Sequence, residues 1–215
     1  GIAAIRRLPP LPAENAATHE YGETEEKASY LVLLKRPQII FFIISAMLFA
    51  LTDAGQLRFV QLAQERGVAA SYFFSVSAGT ALLFRIIFGH LIDRLPRKLC
   101  APVSTAVTAA MMFTMTFVST PAMLMLCGFI FGLAMGFGYP AFMCLTIDLG
   151  GRRYVTRLAV LFGLLYSSQF FITPIIMEFL IRLAGDAAGA YRLLYGAVFL
   201  AAAALVPLSP RVYRR

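Results

Sequence analysis

The sequence predicts an all-α membrane protein with six transmembrane helices, and three observations carry that reading. Of its 215 residues, 60% are hydrophobic and only 14% charged, whereas roughly a quarter of a soluble domain is charged. Six segments meet or nearly meet the about 20 apolar residues a helix needs to cross a hydrocarbon layer ~30 Å thick. None sustains the strict apolar–polar alternation of a strand, and lipid admits only helices or closed barrels.

Residues 1–37 precede the first span and set five acids (Glu14, Glu20, Glu23, Glu25, Glu26) against five bases, with Pro9, Pro10 and Pro12 close together. Such a stretch buries too little surface to offset its ordering entropy, so it reads as a cytoplasmic linker with a short helix around 23–35. It lacks the continuous apolar core of a cleavable signal sequence. Because the chain starts at Gly1 rather than methionine, a fragment or a processed product is the expectation.

The first span, 39–63, holds an acid. Asp53 lies 14 residues past Ile39, which at ~1.5 Å per residue places it roughly 21 Å inside. A carboxylate at that depth costs on the order of 3 kcal/mol even on the mildest insertion scale, so it should face a wet cavity or a partner. Gln56 and Val60 follow at i+3 and i+7, placing the amide on the acid's face. Arg58, five residues on and nearer the outer surface, points elsewhere unless the helix is distorted.

The second span, 70–91, carries Arg85 close to its exit, where it should snorkel or pair with a carboxylate near the following bend. That bend, GHLIDRLPRK (89–98), gathers one acid and three bases between two apolar runs. The third span covers 99–118. In the fourth, 121–147, Gly128, Gly132 and Gly136 repeat every four residues and form a smooth stripe against which another helix can pack closely. Gly138 and Pro140 follow, and the proline should kink the span and make a hinge of 136–140. Asp148 at this span's end caps the next helix, joins the network at the bend, or is solvated. The fifth span, 155–181, ends near Glu178, read as an exposed interfacial acid, and the sixth, 188–208, leads into a basic tail over 209–215.

The net charge of +8 does not signal nucleic acid, because the bases sit at helix ends rather than on one soluble face. Lys35, Arg36, Arg94, Arg97, Lys98, Arg152, Arg153, Arg157, Arg211, Arg214 and Arg215 fall on one side of a six-span path. Only Arg66, Arg182 and Arg192 fall on the other, so both ends of the chain and the bends at 92–98 and 148–154 should be cytoplasmic. Cys100, Cys127 and Cys144 lack metal-ligand spacing and read as apolar packing residues.

The bend resembles the cytoplasmic loop signature of the major facilitator superfamily, G-x-L-x-D-R-x-G-R-[RK]. Gly89, Leu91, Asp93, Arg94, Arg97 and Lys98 match it, while Pro96 stands where the pattern has its second glycine. The resemblance implies twelve spans in two halves of six, with this loop between the second and third span of a half. A first half fits that placement as well. The charged linker ahead of the first span favours the second half, because family members carry such a linker between their halves. The fold expected is therefore one six-helix half over 38–208, facing a missing amino-terminal half. The family's loop steadies the outward-facing state, so Gly89, Asp93, Arg94, Arg97 and Lys98 are expected to act as a gating latch. The first and fourth spans of the family's second half line its central cavity, which makes Asp53, Gln56, Arg58 and Tyr139, with Phe142 beside them, candidates for the substrate or proton pathway.

The leading functional expectation is part of a secondary transporter that moves a small solute by alternating access, proton-coupled and efflux-like, in a bacterial cytoplasmic membrane. No G-x-x-x-x-G-K-[ST] loop exists to use a nucleotide, and no cofactor is expected. A complete six-span receptor, scaffold or self-associating pore is the alternative. An intramembrane enzyme lacks its constellations, since the chain has two histidines and neither H-E-x-x-H nor G-x-S-x-G.

Overall fold

A computed structural model describes residues 35–94 and 96–213, apart from the side chains of 90–94, 152 and 153. Nearly all of the expected linker and the last two arginines lie outside the described residues. Six helices are long and apolar enough to cross a membrane. They are α1 (Pro37–Glu65), α2 (Ser71–Arg94), α3 (Arg97–Thr114, continued by a 3-10 turn at Met115–Phe117), α4 (Pro121–Gly151), α5 (Tyr154–Ala184) and α6 (Ala187–Val212).

Local chemistry sets most boundaries. Pro37 opens α1 and Pro121 opens α4, where a missing N–H costs nothing. The Thr120 hydroxyl accepts from the Met123 N–H, and Asp186 Oδ1 accepts from the Gly189 N–H at 3.1 Å, capping α4 and α6. Between α4 and α5 the chain turns at Gly151, and α5 ends at Gly185; their φ values of 54° and 85° are left-handed and favour glycine. At the other end of α3, Arg66 donates to the carbonyls of Met115 and Val118 at 3.3 and 3.2 Å, meeting acceptors that a helix terminus leaves free.

The glycine stripe does what its spacing predicts. Gly128, Gly132 and Gly136 rest on the backbone of Phe73, Ser77 and Ala81 in the same order, so α2 and α4 run parallel with matched four-residue steps. Gly138 faces the other way, against Ser104 of α3 and Phe49 of α1. Several polar residues inside the bundle find partners, as an apolar medium favours: Ser104, Thr105 and Thr108 donate to carbonyls of their own helix, and Thr52 joins Thr108 across α1 and α3 at 3.0 Å.

Two aromatic cores stack along the bundle. One gathers Phe59, Phe73, Phe131, Met177, Tyr191 and Tyr195; the other, nearer the basic end, gathers Phe42, Phe49, Phe142 and Phe162. Phe142 is fully buried against Phe162, so it packs the core and does not face a cavity.

The α4 helix passes through 136–140 with Pro140 inside it. In α1 the helical stretches Pro37–Ala54 and Gln56–Glu65 meet at Gly55, whose φ of −62° and ψ of −23° stay helical. There the Arg58 N–H reaches back to the Gly55 carbonyl, and the Tyr191 hydroxyl donates to the same oxygen at 2.7 Å. A Cβ at residue 55 would collide with the Tyr195 hydroxyl and ring, so α6 packs its tyrosines closely against this position.

Candidate functional site

A cleft of about 390 Å³ lies among α1, α2, α4 and α5. Asp53 and Gln56 enter it from α1, Ser77, Ala81 and Arg85 from α2, Tyr139 from α4 and Tyr166 from α5. Phe74 and Phe131 supply apolar wall.

Asp53 is held from two directions. Gln56, one helical turn along, donates through Nε2 to Oδ1, as the i+3 spacing predicts. The Tyr166 hydroxyl donates to Oδ2 from across the cleft. Asp53 is only partly exposed as a residue and lines the cleft. Its two bonds leave lone-pair sites unused, because an ionised carboxylate accepts at about four positions.

Tyr166 belongs to an aromatic wall. Its ring meets the Tyr139 ring edge-on at 5.5 Å, and the Arg85 guanidinium lies over the far ring, 5.7 Å from its centre. Arg85 therefore turns into the cleft instead of towards a carboxylate near the bend. The glycine register explains its place: continuing the α2 series 73, 77, 81 by one more step of four reaches Arg85, level with Tyr139 and Pro140.

Arg58 does not line this cleft. It hydrogen-bonds Gln61 at 3.3 Å and lines a second pocket beside Glu178 and Arg182. Glu178 is half-exposed and 3.6 Å from Arg182.

At the basic end, α2 ends at Arg94 and α3 begins at Arg97. The side chains of Asp93 and Arg94 lie outside the described residues, and Gly89 ends the apolar run of α2 with open space where a Cβ would stand. Arg97 pairs with Asp148 of α4 at 3.2 Å, which gives that acid a place in the network at the bend. Lys98 reaches the Tyr213 carbonyl at 3.4 Å and lies over its ring, while the Ser209 hydroxyl donates to the Lys98 carbonyl. The bend thus ties α3 to α4 and to the end of α6.

Of the lining residues that the sequence did not place in the cleft, Arg85 and Tyr166 carry the chemistry. Arg85 carried a usable signal, a lone charge inside the apolar run LLFRIIF. Tyr166 carried none, because its partner is 113 residues away. Among the described residues no cluster of His, Cys, Asp or Glu is placed to hold a metal, and the three cysteines are free.

The family model described as Major Facilitator Superfamily matches residues 38–214. No curated protein and no solved structure matches the chain.

Proposed function

The chain belongs to the major facilitator superfamily, and from that premise we propose that it is the second six-helix half of a secondary transporter that exports a small solute by alternating access, driven by protons. The single observation that carries the reading is Asp53, an acid in the middle of a membrane span, held by Gln56 and Tyr166 at the wall of an open cleft. The charged, proline-bearing stretch ahead of α1 supports the second-half assignment, and the excess of bases at one end supports a cytoplasmic placement of that end.

The coupling follows from electrostatics. When two half-bundles close around the cleft, water leaves, and a bare carboxylate becomes costly to enclose. A proton on Asp53 removes that cost, as does a solute that brings its own positive charge. The closed state is thus easy to reach with one or the other, and proton flow is linked to solute flow.

The Asp53→Asn variant of the full-length protein in everted membrane vesicles provides the test, with labelled solutes and an imposed pH gradient. The expected result is loss of gradient-driven accumulation and a flat pH profile, with the protein still present in the membrane. Transport that keeps both its rate and its pH dependence would remove Asp53 from the coupling role.

A further inference from the structure

Proton coupling at Asp53 leaves Arg85 without a task. Arg85 is exposed on the bundle and turned to the cleft, and its described contacts are the face of Tyr139 and the longer-range fields of Asp53 and Tyr166. No ion pair joins it to Asp53 among the described residues, and these two are the charged residues lining the cleft. Tyr139 and Tyr166 connect them: the guanidinium lies 5.7 Å from the centre of the Tyr139 ring, that ring meets Tyr166 edge-on at 5.5 Å, and the Tyr166 hydroxyl donates to Asp53.

We propose that the cleft takes a small amphoteric solute, its protonated amine received by Asp53 at one end and its carboxylate or comparable anion received by Arg85 at the other. The inference rests on the transporter reading above, in which an ammonium on Asp53 takes the place of the proton. Charge complementarity carries it. On the face that this half presents, a solute bearing only a cation leaves Arg85 facing a like charge, and one bearing only an anion does the same to Asp53. A solute with both charges answers each and adds no net charge when the cleft closes.

Chemistry and shape agree. Asp53 keeps acceptor capacity beyond Gln56 and Tyr166. Guanidinium N–H groups suit the paired oxygens of a carboxylate. Among the described residues Asp53 and Arg85 form no ion pair with one another, so the solute's amine and its anion each meet a receiving group of their own. Tyr139, Tyr166 and Phe131 offer faces to a flat or apolar middle. The volume of about 390 Å³ sits at the small end of ligand pockets, which span about 300–1,000 Å³.

Three matched probes test this on the purified full-length protein by calorimetry: 4-(aminomethyl)benzoate, with amine and carboxylate at opposite ends of one ring; benzylamine, with the amine alone; and 4-methylbenzoate, with the carboxylate alone. The amphoteric probe should bind about tenfold or more tighter than either of the others, the equivalent of one charge-assisted hydrogen bond. In Arg85→Gln the amphoteric probe should fall to the affinity of benzylamine, and in Asp53→Asn to that of 4-methylbenzoate. Arg85→Lys, which keeps the charge, should retain the preference and guards against a folding artefact. Equal binding of the three probes, no binding of the amphoteric one, or an unchanged preference in Arg85→Gln would each overturn the proposal. If the pH gradient still drives some other solute through Asp53, only this inference fails. If Asp53→Asn leaves gradient-driven transport intact, the transporter reading of Asp53 fails with it.

Discussion

Each oxygen of the Asp53 carboxylate accepts one hydrogen bond, from Gln56 on its own helix and from Tyr166 on α5. The first contact was legible because i and i+3 share a helix face; the second was not, because nothing local connects α1 to α5. The same difference separates two tyrosine variants. Tyr166→Phe removes a donor from Asp53 and should slow transport several-fold and displace its pH profile, measured in vesicles. Tyr191→Phe removes the donor to the Gly55 carbonyl, leaves Asp53 untouched and should cost about 1 kcal/mol of stability in a thermal melt with the pH profile unchanged. Asp53, Gln56 and Tyr139 share one cleft, whereas Arg58 lines another beside Glu178. One intramembrane charge does not predict where the next one points, and five residues around a helix was already a warning that Arg58 faced elsewhere.

At the scale of the helix, all six spans were legible, because apolar length, helix-opening prolines and closing glycines are written locally. The hydrogen bonds from Tyr191 and Tyr195 of α6 to the Gly55 and Leu51 carbonyls of α1 were not legible, since they come from far along the chain. The glycine stripe also fixes where Arg85 stands. A methyl group added at Gly136 would sit 3.1 Å from Ala81 Cα, and at Gly132 it would collide with the Ser77 backbone. Gly132→Ala should therefore push α2 off α4 and destabilise the protein by about 1–3 kcal/mol, with a matching loss of transport. Gly163→Ala is the control, because a methyl group there meets open space. Its melting temperature should not fall.

For the whole molecule, the contacts at the basic end join α3 to α4 and α6 through Arg97 with Asp148 and Lys98 with Tyr213. The Arg97–Asp148 pair is part-exposed and should be worth about 0.2–1 kcal/mol. Arg97→Asp should lower the melting temperature, and the double variant with Asp148→Arg should recover part of the loss. The loop motif was the most informative stretch of the sequence, because a short ordered pattern between two spans identifies an architecture that composition alone leaves open. The cleft was beyond it, since a cavity is defined by four helices packed in three dimensions. The proposed coupling requires that α1, α2, α4 and α5 surround water at Asp53. Cysteine labelling of the full-length, otherwise cysteine-free protein in native membranes tests it most directly, because a thiol reacts as the thiolate, which forms in water and not in lipid. Ala78→Cys lines the cleft, and Leu83→Cys replaces an exposed residue outside its lining. A charged, water-soluble thiol reagent should label the first and spare the second; an inert Ala78→Cys, or equal labelling at both positions, would contradict a wet cleft.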